Sequence, residues 1–106
     1  MSAGPYSIGA EKWPGLSKLA EEAGEVLQVI GKIVGANGEL EHWDGGPPLD
    51  QRLEEEMADV IAAAIYVASA CALNRNRIDL RVRAKVALFR QWHVENTTPA
   101  PLGETQ

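Results

Sequence analysis

The chain has 106 residues, one domain's length, and a formal net charge of −5 from 15 acidic and 10 basic residues, a balance that disfavours bulk nucleic-acid binding through a basic surface. Its single cysteine, Cys71, excludes an internal disulfide framework and a thiolate zinc cluster. No apolar run reaches membrane-spanning length and the opening segment lacks a signal-peptide core, so a soluble protein of a reducing, cytoplasmic compartment is expected, with neither membrane nor nucleic acid as partner.

Residues 1–10 read as an irregular lead-in, followed by a single helical domain over 11–95. Leu16, Leu19, Ala23, Val26, Leu27, Ile30, Ile33 and Val34 recur at three- and four-residue steps, which is helix spacing. The Pro14-Gly15 pair stands near the start of this helix, and Gly35, Asn37 and Gly38 mark its end. A loop over 35–49 follows, in which Asp44-Gly45-Gly46 and Pro47-Pro48 forbid a regular element; a loop this long in a small domain is often functional. The second helix is predicted to start near Asp50 as N-cap, with Leu53, Met57, Val60, Ile61, Ala64, Ala68 and Cys71 as its apolar stripe. A third helix is predicted from Arg77 to Trp92, with Ile78, Val82, Val86 and Phe89 on one side, and residues 96–106 read as a disordered tail. No stretch alternates like a strand. The expected fold is all-α, with three main helices per chain and a bundle completed by oligomerisation.

The first two helices carry an internal echo. Residues 19–27 read LAEEAGEVL and residues 53–61 read LEEEMADVI, with four of nine positions identical and Glu25 answered by Asp59. At about 100° per residue, Glu22 and Glu25 share one side of their helix, as do Glu56 and Asp59, and both pairs are expected to flank the apolar stripe. If the stripes pack together, both pairs line one groove. Four carboxylates there repel one another unless some are protonated or cations sit between them. An all-oxygen donor set selects hard cations such as Mg²⁺ or Mn²⁺ over zinc. The loop is long enough for either a parallel or an antiparallel arrangement.

The pattern Glu-Glu-x-x-Glu, a spacer, then Glu-x-x-Asp, here Glu21, Glu22, Glu25, Glu56 and Asp59, resembles the MazG-like group of all-α nucleoside triphosphate pyrophosphohydrolases over about residues 12 to 93. The resemblance implies a homodimer or homotetramer. It implies a nucleoside triphosphate substrate, cleaved with Mg²⁺ to a monophosphate and pyrophosphate. It also implies Glu22, Glu25, Glu56 and Asp59 as metal ligands, and Glu21 as an auxiliary acid that binds metal or orients the attacking water. The family often carries a later Lys with an Asn four residues on; Lys85 fits the first, and Phe89 stands in place of the second.

Charge agrees with that reading. Six of the ten basic residues, Arg81 and Lys85 among them, lie between Arg75 and Arg90, whereas twelve of the fifteen acids lie at or before Asp59. Lys85 lies on the apolar side of its helix, where it either meets phosphate or snorkels. Lys18 is one turn before Glu22, placed to pair with it or to touch a phosphate. Tyr66 and Trp43, with Trp13 and Trp92, are candidates for stacking on a base and equally for core positions. Two further readings stand beside the enzyme: a non-catalytic nucleotide- or metal-binding sensor, and a structural helical interaction module.

Overall fold

The structure, a computed structural model, describes residues 12–97. It is all-helical, with α1 (Leu16–Gly35), α2 (Leu49–Ala70) and α3 (Arg75–Thr97) and no strand among the described residues. The lead-in over 1–10 lies outside the described residues, as does all but the beginning of the expected tail. Asn96 and Thr97 correct the start of that tail, because α3 carries them in helix, past the expected end at Trp92.

Each end of α1 has a local cause. Gly15 precedes it at φ 86°, a left-handed conformation that glycine adopts without steric cost. A side chain there would also collide with Tyr66 Cδ1, 2.5 Å from an ideal Cβ, and with Val67 Cγ2 at 3.1 Å. At the other end Asn37 takes φ 55°, the Asn37 N–H donates to Val34 O, and the Gly38 N–H donates to Ile33 O, which together close the helix in a Schellman turn. The end of α2 repeats the motif with Ala72 at φ 52° and the Leu73 N–H donating to Ala68 O. The start of α2 corrects the sequence reading: Pro48 is the N-cap and no side chain caps the helix. Asp50 sits inside the first turn instead, where its charge favours the helix dipole.

Helices α1 and α2 form an antiparallel hairpin. Cys71, just past α2, places its Sγ 3.6 Å from Pro14 O, just before α1. At the opposite end the Leu49 N–H donates to Leu40 O at 2.7 Å, and the Leu49 side chain is fully buried, which pins the loop to the start of α2.

The face each helix turns inward differs from the expected stripe. The buried residues of α1 are Glu22 and Val29, seven apart and therefore on one line, whereas Leu27, Ile30 and Val34 are exposed. In α2 the buried residues are Leu49, Ala63, Val67 and Ala68, with half-buried Glu56 on the same side; of the expected stripe Ala68 is buried, whereas Met57 and Ile61 face out. Glu22 and Glu56 thus sit in the hairpin seam, whereas half-buried Glu25 and exposed Asp59 lie at its edge. Part of each apolar stripe is left on the outside.

Residues 74–106 form a separate compact unit, described only through α3. This helix has no fully buried residue: Leu80, Val82, Val86, Phe89, Trp92 and Val94 are all exposed, and Phe89 and Trp92 lie 5.6 Å apart as a tilted aromatic pair.

Gly15→Ala should destabilise the hairpin by about 2 kcal/mol, since it adds a strained φ and a clash with a ring that cannot bend away. Chemical denaturation midpoints of the two proteins check this, and an unchanged midpoint would contradict the role given to Gly15.

Candidate metal centre

Antiparallel packing brings the middle of α1 against the middle of α2, which is where the acids of the internal echo lie. Glu22, Glu56 and Asp59 each offer a carboxylate oxygen, and these oxygens all lie within 4.8 Å of one another. Glu22 is 7% exposed. Glu22 Oε2 and Glu56 Oε2 are both buried with no hydrogen-bond partner. A buried, unpartnered carboxylate oxygen costs free energy, and two of them facing like charges cost more.

Glu25 belongs to the same constellation. Its carboxylate is the strongest influence on Glu56, through a direct hydrogen-bonding contact. Burial and the charges of Glu25, Asp59 and Glu22 add to it, and together they push the Glu56 carboxyl above its ordinary value. The other three expected acids therefore converge on Glu56, with Glu22 and Asp59 forming one oxygen group with it and Glu25 beside them.

The donor set fits a hard divalent cation. It is all oxygen, comes from two rigid helices, and contains two orphaned oxygens that a cation would satisfy. It suits such cations as a class and does not single out Mg²⁺.

Lys18 closes one side of the group, with its Nζ 3.2 Å from Glu22 Oε1 and 3.3 Å from Glu21 Oε1. Hydrogen bonding to Glu22 first and Glu21 second raises the Lys18 pKa. Its observed role is the intrahelical pair. Glu21 is more than half exposed and lies outside the oxygen group, paired with Lys18.

Two of the remaining expected site residues lie elsewhere on the hairpin. Tyr66 packs its ring over Gly15, two turns beyond Asp59, where it secures the start of α1. Trp43 is 91% exposed, with its ring centroid 5.1 Å from that of His42. It lines an open depression of about 690 Å³ with Gln28, Lys32, Glu39 and His42 at the C-terminal end of α1. Arg81 and half-buried Lys85 lie on α3, along an apolar depression with Ile78, Val82 and Phe89.

The structure adds a charged cluster that the sequence did not announce. Asp44, in the loop over 36–48, accepts two hydrogen bonds from Arg52 of α2, from Nη1 at 2.9 Å and Nη2 at 2.6 Å. It also accepts one from the Gly46 N–H at 3.1 Å. Lys32 Nζ lies 3.5 Å and His42 Nδ1 3.1 Å from Asp44 Oδ2. Arg52, followed by the Gly46 N–H, holds the Asp44 carboxyl far below the usual carboxylate range. Asp44-Gly45-Gly46 was legible as a turn. Its pairing with Arg52, eight residues on, follows no helical or strand period.

Comparison with protein-family models, curated proteins and solved structures gives no match.

The raised pKa of Glu56 fixes the sign of a pH effect in the metal-free protein. Its contribution to stability is fully present below the ordinary carboxylate value and is lost as pH rises through the higher folded value. Asp44 acts oppositely, losing its contribution only in strong acid. Subtracting the stability–pH profile of Glu56→Gln from that of the wild type should therefore leave a component that declines as pH rises above the ordinary range. A flat difference would refute the convergence on Glu56.

A divalent cation should reverse the cost of the cluster. Mg²⁺ or Mn²⁺ should raise the melting temperature of the wild type, because it binds a group absent from the unfolded chain. Glu56→Gln should melt higher than wild type without metal and gain little from it. Thermal melts with and without each ion check both halves.

Proposed function

We propose that this protein is a divalent-cation-dependent nucleoside triphosphate pyrophosphohydrolase, with Mg²⁺ or Mn²⁺ as cofactor. The observation that carries the proposal is the oxygen group of Glu22, Glu56 and Asp59, with its two buried, unpartnered oxygens contributed by two different helices. The resemblance of the Glu-Glu-x-x-Glu and Glu-x-x-Asp motifs to the MazG-like group supports the same reading.

In this reading Glu22, Glu56 and Asp59 hold the cation, and Glu25, in contact with Glu56, completes or orients the set. When bound there, a divalent cation supplies charge compensation for a polyphosphate and lowers the pKa of a water molecule. Glu21, exposed beside the group and paired with Lys18, is an auxiliary acid that binds metal or orients the attacking water. Water adds at the α-phosphorus, the bond to the bridging oxygen breaks, and pyrophosphate leaves with the electron pair. Lys85 and Arg81 supply positive charge to the departing phosphates. Of the two expected aromatic residues, Trp43 on the loop is the surface offered to the base, whereas Tyr66 is committed to the start of α1. Clean-up of surplus or non-standard nucleotides is a suitable role for such an activity.

The working form is proposed to be a homodimer or homotetramer in a cytoplasmic compartment. Leu27 and Val34 on α1, Ile61 on α2 and Leu80 on α3 are each more than half exposed, apolar side chains that a second copy would cover. No helix among the described residues is long and apolar enough to cross a membrane. A second reading, a nucleotide or metal sensor without turnover, is favoured by Phe89, which replaces a polar phosphate contact with an exposed ring.

With Mg²⁺ present, at least one triphosphate in a panel of ordinary and modified nucleotides should yield its monophosphate and pyrophosphate. Orthophosphate with a diphosphate would mean attack at the terminal phosphorus and would overturn the mechanism. Asp59→Asn should lower the rate by about a hundredfold or more, and Lys85→Ala by about tenfold or more. Light scattering should give a mass of at least twice 11.5 kDa. Nucleotide and metal binding without turnover would favour the sensor.

A further inference from the structure

The cations that meet the substrate in the proposed reaction need not all come from α3, because the hairpin carries a concentration of its own. Arg52 and Lys32 converge on one carboxylate, that of Asp44, together with His42 Nδ1 and the Gly46 N–H. The Arg52 guanidinium is fully engaged, with Nε donating to Pro47 O at 2.7 Å and both terminal nitrogens to Asp44. Two permanent positive charges thus face a single negative one. A planar fork plus a backbone N–H and an ammonium is also the donor set that proteins use for phosphate oxygens.

Position matters as much as composition. Arg52 and Lys32 line an open depression of about 390 Å³ whose other walls include Glu25 and Glu56. Arg52 is one turn before Glu56 on α2, about 6 Å along the axis. A single depression is therefore lined both by carboxylates, Glu25 and Glu56, the second a member of the oxygen group, and by the cations Arg52 and Lys32.

We propose that Arg52, Lys32 and the Gly46 N–H form a phosphate subsite, held in the ligand-free protein by the Asp44 carboxylate as an internal stand-in for a phosphate group. The ligand is a di- or triphosphate that displaces Asp44 while its other end lies over the acidic group. The inference rests on the triphosphate reading of that group and adds residues and a switch to it. Gly46 is part of the design, since a Cβ there would fall on the Arg52 guanidinium. Displacement of Asp44 frees the loop that bears Trp43 and His42, so filling the subsite moves the exposed indole.

Inorganic pyrophosphate is the probe, titrated into the full chain with Mg²⁺ and separately with a chelator, and followed by calorimetry and tryptophan fluorescence. Asp44→Asn keeps the shape and removes the competing charge, so it should tighten pyrophosphate binding about tenfold in either condition. Adding Arg52→Gln to that variant should return the affinity to the wild-type value or below. Unchanged or weaker binding by a folded Asp44→Asn protein would overturn the proposal and show that Asp44 and Arg52 only staple the loop. Should Asp44→Asn fail to fold, Lys32→Gln serves in its place. Lys32 is partly exposed and its loss should weaken binding several-fold, so unchanged binding again overturns the subsite. Tightening by Asp44→Asn without any effect of Mg²⁺ would retain the subsite and remove the metal-dependent enzyme. An effect of Mg²⁺ without tightening would do the reverse.

Discussion

Burying Glu22 and Glu56 against each other is the constraint on which the rest of the hairpin depends. Two carboxylates with unpartnered oxygens occupy the middle of a seam that apolar side chains would fill at no electrostatic cost. The free energy to keep them there comes from either side of the acids. Val29, Ala63 and Val67 pack near them, Leu49 anchors the loop end, and Tyr66 closes over Gly15 at the far end. Small residues such as Ala63 let the helices approach closely enough for the carboxylates to meet. The strain of like charges is thus concentrated on one residue, Glu56, and confined to the centre of the hairpin. A site poised this way would gain most from whatever neutralises it, so a ligand that binds there would add stability.

The same constraint explains the outward-facing apolar residues. Turning Glu22 and Glu56 into the seam rotates each helix by about a residue's worth of arc relative to the arrangement that would bury its full stripe. Leu27, Ile30 and Val34 on α1, and Met57 and Ile61 on α2, are exposed as the geometric consequence. One feature, acids at the centre of a packing face, accounts for both a polar site inside the hairpin and an apolar surface outside it.

The helices were legible in the sequence because three- and four-residue spacing, glycine stops and the Asp44–Pro48 breakers are local signals. Asn37 and Gly38 closed α1 as read, while Asp50 lost the N-cap to Pro48 because the loop approaches through Leu49 and its bond to Leu40. The acids were legible because the motif occurs twice. Their position was not: hydrophobic periodicity ranks a face by its apolar content, so it placed Glu22 and Glu56 beside the core rather than in it. Val29, buried in the seam, was passed over for the same reason. The cluster around Asp44 was invisible because it joins α1, the loop and α2, and no period relates residues 32, 42, 44 and 52. Comparison with known proteins adds no likeness from which these positions could be read.

Asp44 and the acidic group are complementary in a way that reaches beyond either alone. The hairpin has two sites of unbalanced charge, one with excess carboxylate around Glu56 and one with excess cation around Asp44, sharing one depression. Each is tolerated in the free protein by a local compromise. Glu56 takes up a proton more readily than an ordinary carboxylate, and Arg52 is satisfied by an internal acid. A bare cation would relieve the first site and leave the second as it is. A bare anion would relieve only the second and meet repulsion from the first. If the proposed function holds, a polyphosphate carrying a divalent cation would relieve both at once. On the proposed function, selectivity for a metal-complexed polyphosphate over either component would then follow from the spacing of Arg52 and Glu56 on one helical turn, before any contact with a base.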